Sequence, residues 1–252
     1  MKQLGRALLR LIALLLLGLL ALQLYFAAHI ALMIVVAPQS TSFQRSEAWR
    51  LGTQTGRIAW SQQWVDNADI SKHLKRAVIA SEDAGFVEHG GVEWDALEKA
   101  WARNQREELR VEKRAQALKP KAAAAKVREP KVIGGSTISQ QLAKNLFLSG
   151  ERNLARKGQE FVITLMLETL LSKQRILEIY LNNVEWGEGV FGAQAAARHY
   201  FHIDAKQLSP SQAARLAVML PAPKRFEKRP ASPYVVSRAA TIEARMGAVE
   251  LP

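Results

Sequence analysis

The apolar run from Leu11 to Val36 limits this chain most: 26 residues interrupted by little more than Gln23 and His29. As a helix rising about 1.5 Å per residue, it is long enough to cross the roughly 30 Å hydrocarbon core of a bilayer. Lys2, Arg6 and Arg10 precede it and no Lys or Arg follows until Arg45, so the positive-inside rule keeps the N-terminus in the cytoplasm and puts the rest outside. The run exceeds the roughly 7–15 residue core of a signal peptide and lacks a clear small-residue cleavage site, which favours a retained membrane helix. The expected division is a tail at 1–10, a transmembrane helix at 11–36, a membrane-proximal stalk at 37–69, a folded domain at 70–223 and a C-terminal segment at 224–252.

Composition narrows the partners. With 35 Lys and Arg against 23 Asp and Glu the formal charge is +12, which favours anionic ligands such as acidic headgroups, phosphorylated substrates or nucleic acid. The chain has no cysteine, so disulfides, thiolate zinc sites and cysteine nucleophiles are excluded.

Periodicity predicts a mainly helical domain. Ile70, Leu74, Ala77 and Val78 have near-helical spacing, with Ser71 as a cap. Further helices are expected at Trp94–Trp101, from Thr137, at Leu154–Leu171, Lys173–Asn183, Gln194–Tyr200 and Ser211–Leu220, the last stopped by Pro221 and Pro223. Thr137 and Gln140 have capping-box spacing. Strand signals are sparse, so helices must pack on helices. Between Arg110 and Lys131 eight Lys and Arg stand against Glu112 and Glu129. That stretch reads as a mobile basic insertion.

Three places carry candidate chemistry. Glu82 and Asp83 follow an apolar helix and precede a glycine-rich turn ending at Gly91; a carboxylate so placed could serve as a general base. The segment from Gly134 through Ser136 to Asn145 opens a helix whose unpaired N–H groups and dipole favour a phosphate, although it lacks the Gly-Lys-Ser/Thr of a Walker loop. Lys157, Glu160 and Thr164 fall on one face of their helix, where an i,i+3 ion pair worth a few tenths of a kcal/mol is the simpler explanation. Phe161, Ile163, Leu165 and Leu167 are expected to pack. His199 and His202 stand three apart with no third ligand nearby and suit a surface role.

Taken together, Glu82-Asp83-x-x-Phe86-x-x-His89-x-Gly91, the stretch Gly134 to Asn145, Arg156-Lys157-x-x-Glu160, and Arg175-Ile176-Leu177-Glu178-x-Tyr180-Leu181-Asn182 resemble the ordered motifs of family 51 glycosyltransferases. The match runs from about Ile70 to Pro223. No Ser-x-x-Lys or Lys-Thr-Gly is present for an acyl-serine transpeptidase, so the likeness is to the single-activity members rather than to the bifunctional penicillin-binding proteins.

The resemblance implies a lysozyme-like, two-lobed helical domain in the periplasm, anchored by one pass through the bacterial inner membrane, that polymerises lipid II into glycan strands. By motif, Glu82 is the base on the acceptor 4-hydroxyl, and Glu160 the second functional carboxylate. Ser136, Gln141, Lys144, Arg152 and Lys157 bind the donor and its pyrophosphate, while Asp83, Phe86 and His89 support the first motif. A divalent ion, Mg2+ or Mn2+, is an expectation near Glu160. Lipid II, the growing strand, the membrane, and penicillin-binding and cell-division proteins are the implied partners; nucleic acid is not. Glu93 stands near where Asp often follows the first motif, and Gln212 where Glu often precedes the alanine-rich helix. The competing readings are a lysozyme-like hydrolase, which would use water as nucleophile and need an acid for the leaving sugar, and a non-catalytic basic scaffold at the membrane.

Overall fold

The computed structural model describes residues 2–94, 98, 105–106, 136–148 and 153–252. The expected helix beyond Trp94 in large part, the basic insertion at 110–131, Gly134, Gly135 and Arg152 lie outside the described residues.

The described chain is mainly α, as periodicity predicts. Its helices are α1 (Lys2–Leu32), α2 (Ser42–Gln54), α3 (Lys72–Glu82), α4 (Ile138–Phe147), α5 (Leu154–Leu170), α6 (Lys173–Asn183), α7 (Ala193–Phe201), α8 (Pro210–Met219), the short α9 (Pro223–Phe226) and α10 (Pro233–Arg245). Local signals set their starts. Thr41, Thr137 and Ser209 each accept the N3 backbone N–H while Gln44, Gln140 and Gln212 reach back to the cap, completing capping boxes. Gln212 therefore has a structural task of its own. Ser71, Asn153 and Ser172 cap α3, α5 and α6 through a side-chain oxygen.

One core runs through the domain, with Leu74 and Val78 of α3, Ile138 and Leu142 of α4, Ile163 and Leu167 of α5, Ile176 and Tyr180 of α6, and Leu216 of α8. Leu165, expected inside, is 43% exposed, and Thr164 is buried in its stead. The reason is phase: at about 100° per residue Ile163, Thr164 and Leu167 share the inner face and Leu165 turns away.

The segments flanking residues 70–223 belong to the domain. Within the expected stalk, α2 packs on α4, with Gln44 buried and donating to Asn183 Oδ1 at 3.3 Å. Beyond Pro223, α10 packs on α8 and α3 and buries Val235, Ala239 and Ile242. After Asn183, where strand signals are sparse, a small sheet forms in the order β1 (Ser61–Gln62), β3 (Val190–Phe191), β2 (Glu185–Gly187). β1 pairs parallel and β2 antiparallel to β3, and the register slips between Glu185 and Gly187. Gly189 makes the turn at φ +73°, where an added Cβ would lie 1.9 Å from the Ala59 carbonyl oxygen.

The long apolar helix α1 is exposed over most of its length, yet Phe26, Ile30 and Met33 at its C-terminal end are buried in the domain core. Gln23 and Gln159 of α5 exchange side-chain hydrogen bonds at 3.0 Å, and the Phe26 and Phe147 rings meet edge to face at 5.2 Å. The helix stops at Leu32, short of Val36; Arg175 Nε donates to the Met33 carbonyl at 2.8 Å and holds the chain end in a turn.

Candidate active site

Glu82 ends α3, half-buried, where its backbone gives way to the turn. Its Oε2 accepts a hydrogen bond from Gln141 Nε2 at 3.0 Å, and Gln141 Oε1 in turn accepts from the Tyr180 hydroxyl at 2.9 Å. Burial raises the Glu82 pKa above the ordinary carboxylate value, against the lowering effect of the Gln141 and Ser81 hydrogen bonds. Burial also pushes the Tyr180 hydroxyl well above its usual range, with Glu82 and Asp83 adding to it, so the hydroxyl stays protonated as the donor of this relay.

The neighbouring acid does different work. Asp83 is buried, its Oδ1 2.7 Å from His89 Nε2 and its Oδ2 accepting the Ile138 N–H at 2.9 Å. His89 Nδ1 accepts the Gly91 N–H at 3.0 Å, which leaves Nε2 as the protonated nitrogen facing Asp83. Asp83 thus ties the glycine turn to the first turn of α4. Gly91, at φ +90°, passes so close to α5 that a Cβ would lie 2.7 Å from Glu168 Cγ and 2.8 Å from Thr164 Cγ2. Its carbonyl accepts from Thr137 Oγ1 at 2.7 Å. Phe86 is fully buried beneath Lys173, whose Nζ stands 4.5 Å from the ring centroid and donates to the His89 carbonyl at 2.6 Å.

Beside Glu82 opens a cavity of about 470 Å³. Ser136, Gln141 and Lys144 from the start and body of α4 line it, together with Arg156, Lys157 and Glu160 of α5. Glu160 is 3% exposed, yet both its oxygens are engaged: Arg156 Nη1 donates at 2.9 Å and Lys157 Nζ pairs with the other oxygen. One buried carboxylate between two cations leaves this wall with a net positive charge. Glu82 is not itself part of the lining; Gln141 joins it to the cavity.

Of the residues singled out in the sequence, the structure brings Ser136, Gln141, Lys144, Lys157 and Glu160 to one cavity, with Glu82 adjoining and Asp83, Phe86 and His89 behind it. Arg152 lies outside the described residues. Two further charged residues of the lining, Arg156 and Glu185, had been given no role. Arg156 stands four residues before Glu160, and that spacing was the signal for it. Glu185 carried no local signal at all. Its strand follows α6 and its cavity neighbours Phe43, Leu220 and Pro223 are distant in sequence. Burial raises its pKa to about 7, with Glu47 and Glu227 adding and Lys224 opposing.

Residues 51–247 match the family model described as transglycosylase. The protein named biosynthetic peptidoglycan transglycosylase of Cupriavidus metallidurans is 53% identical over 246 residues, covering 94% of this chain and 95% of that protein. The proteins of the same name from Burkholderia thailandensis and Paraburkholderia xenovorans are 52% and 51% identical, each over 92% of this chain and over 83% and 88% of their own lengths. A match over most of the domain, with about half the residues identical in proteins of nearly the same length, means that this chain belongs to the transglycosylase family.

Proposed function

We propose that the chain is an inverting peptidoglycan glycosyltransferase that polymerises lipid II into β-1,4-linked glycan strands, releasing undecaprenyl pyrophosphate. The observation that carries this reading is Gln141, which holds the Glu82 carboxylate and lines a cavity whose wall presents Lys144, Arg156 and Lys157. A base adjoins a phosphate-sized positive surface. Glu82 takes the proton from the acceptor sugar 4-hydroxyl as that oxygen attacks C1 of the donor; the C1–O bond to pyrophosphate breaks on the opposite face, converting an α linkage to β. A positioned base is worth about 10²–10⁴ in rate, and a raised pKa brings a carboxylate closer to the proton it must take. Charge developing on the leaving pyrophosphate meets Lys157, Lys144 and Arg156, whose Nε is buried without a hydrogen-bond partner among the described residues. Arg152 of the same motif set is proposed to add to this grip. Glu160 keeps Arg156 and Lys157 in position, and Asp83, Phe86 and His89 hold the turn that aims Glu82.

The cationic wall favours transfer from a phosphate over the hydrolase reading, in which a protonated acid would face the leaving sugar. A divalent ion fits less well. Both Glu160 oxygens are bonded to cations, and among the described residues no group of three or more His, Asp or Glu could hold a metal. Among the described residues one helix, Gln3–Leu32, is long and apolar enough to cross a membrane. With Lys2, Arg6 and Arg10 before it, we place its N-terminus in the cytoplasm and the domain on the outer face of the bacterial inner membrane. Penicillin-binding and cell-division proteins are proposed partners on the family resemblance alone.

Lipid II polymerisation by the wild type and by Glu82→Gln tests the assignment. The wild type is expected to build strands and the variant to build none while still binding the donor. Near-wild-type turnover by the variant would sink the role of Glu82.

A further inference from the structure

Glu185 is a buried acidic residue of this cavity that the proposed reaction does not use. It belongs to β2, where the register slip against β3 between Glu185 and Gly187 re-aims the strand's side chains. Its side chain is 9% exposed and lines the same cavity as Lys157 and Glu160. Among the described residues its Oε1 accepts no hydrogen bond. Lys224 Nζ makes a long ion pair with it at 3.4 Å while also holding Glu47, which takes Arg50 at 2.9 Å as well. A buried carboxylate held by one long ion pair is poorly compensated, and the edge of the Glu185 side chain that lines the cavity can take a further donor.

The surroundings narrow what that is. Phe43, Leu220, Pro221 and Pro223 share this cavity with Glu185, giving apolar surface of the kind that takes the C–H faces of a sugar ring. A second phosphate is disfavoured there, because carboxyl and phosphate repel. The cavity is therefore divided by charge, with cations on α4 and α5 and a hydrogen-bond acceptor on β2. We propose that Glu185 is a substrate-positioning residue whose carboxylate accepts a hydrogen bond from a hydroxyl or acetamido N–H of the sugar whose pyrophosphate lies on the cationic wall. It rests on the function proposed above and adds a residue that fixes which way the donor lies.

A pH signature follows. The groups facing Glu185 are Glu47 of α2, Tyr200 of α7, Lys224 of α9 and Glu227 just beyond it. Burial holds Glu185 protonated up to about pH 7, and a protonated carboxyl is the poorer acceptor. A bound sugar donor favours the ionised form, so donor affinity should rise as pH rises through that value.

The experiment compares full-length wild type and Glu185→Gln in lipid II polymerisation from pH 6 to 8, reading KM and kcat separately, with melting temperature as a control. We expect the variant at pH 8 to raise KM about tenfold with kcat within about threefold, the size of effect one lost charge-assisted hydrogen bond gives. Wild-type KM should fall as pH rises, while the variant's stays flat. The melting temperature of the variant at pH 8 should equal or exceed that of wild type, since Gln relieves a buried charge. An unchanged KM, with or without a lower melting temperature, overturns the proposal and leaves Glu185 a structural group. A wild-type chain that makes no polymer overturns the function itself, and this inference with it.

Discussion

Glu82 and Asp83 differ by one position and by everything around them. Two neighbours near the end of a helix point in different directions. Glu82 turns towards Gln141 and the cavity; Asp83 turns inward to His89 and the Ile138 N–H. Gln141 is the adjustable member of the relay, because its N–H favours the charged form of Glu82 while burial opposes it. Gln141→Leu removes that donor and should raise the Glu82 pKa further. The acidic limb of the kcat/KM profile should then move to higher pH, with a lower maximal rate. A limb that stays in place would mean that another group controls the titration. Tyr180 would also lose its acceptor within the core, at a stability cost of about 1–3 kcal/mol.

At the scale of elements, the site is a junction of α3, α4 and α5, and Thr137 sits at its centre. It caps α4 and also donates to the Gly91 carbonyl in the turn after α3. Thr137→Ala should cost about 2 kcal/mol, a cap near 1 and a buried hydrogen bond near 1. It should also slow polymerisation by loosening the turn behind Glu82; chemical denaturation and turnover check both. A loss of stability with unchanged turnover would separate the turn from the base. The capping box at Thr137, the cap at Ser71 and the helix at Lys173–Asn183 were all legible, because each signal lies within a few residues of what it specifies. The family motifs likewise gathered the α4 and α5 walls of the cavity. What stayed hidden depends on distant partners. Nothing near Glu185 announces that β2 will pair with β3, or that Phe43 and Pro223 will close beside it. The burial of α2 against α4, and of α10 against α8 and α3, is equally a property of the assembled core.

Across the whole molecule, α1 is part of the fold as well as long and apolar enough to cross a membrane. Phe26, Ile30 and Met33 are buried, Gln23 and Gln159 exchange hydrogen bonds, and Arg175 holds the carbonyl of Met33. Removing residues 1–36 should uncover the apolar side of α5 and Phe147. Such a chain is expected to melt at a lower temperature and to self-associate in detergent-free buffer, by light scattering on a sizing column. A monomer as stable as the full chain would show the docking to be dispensable.

That docking also sets a waterline. In the proposed topology Arg6 and Arg10 stand at the cytoplasmic headgroups, and residues 11–22 would reach only ~18 Å into a layer roughly 30 Å deep. The outer part of the layer is crossed by the very stretch that is locked against α5, so α5 shares that depth, its Leu154 (92% exposed) and Leu165 turned outward where acyl chains would meet them. In the proposed topology the domain would sit half-submerged, at a depth set by the contacts of α1 with α5 and Phe147.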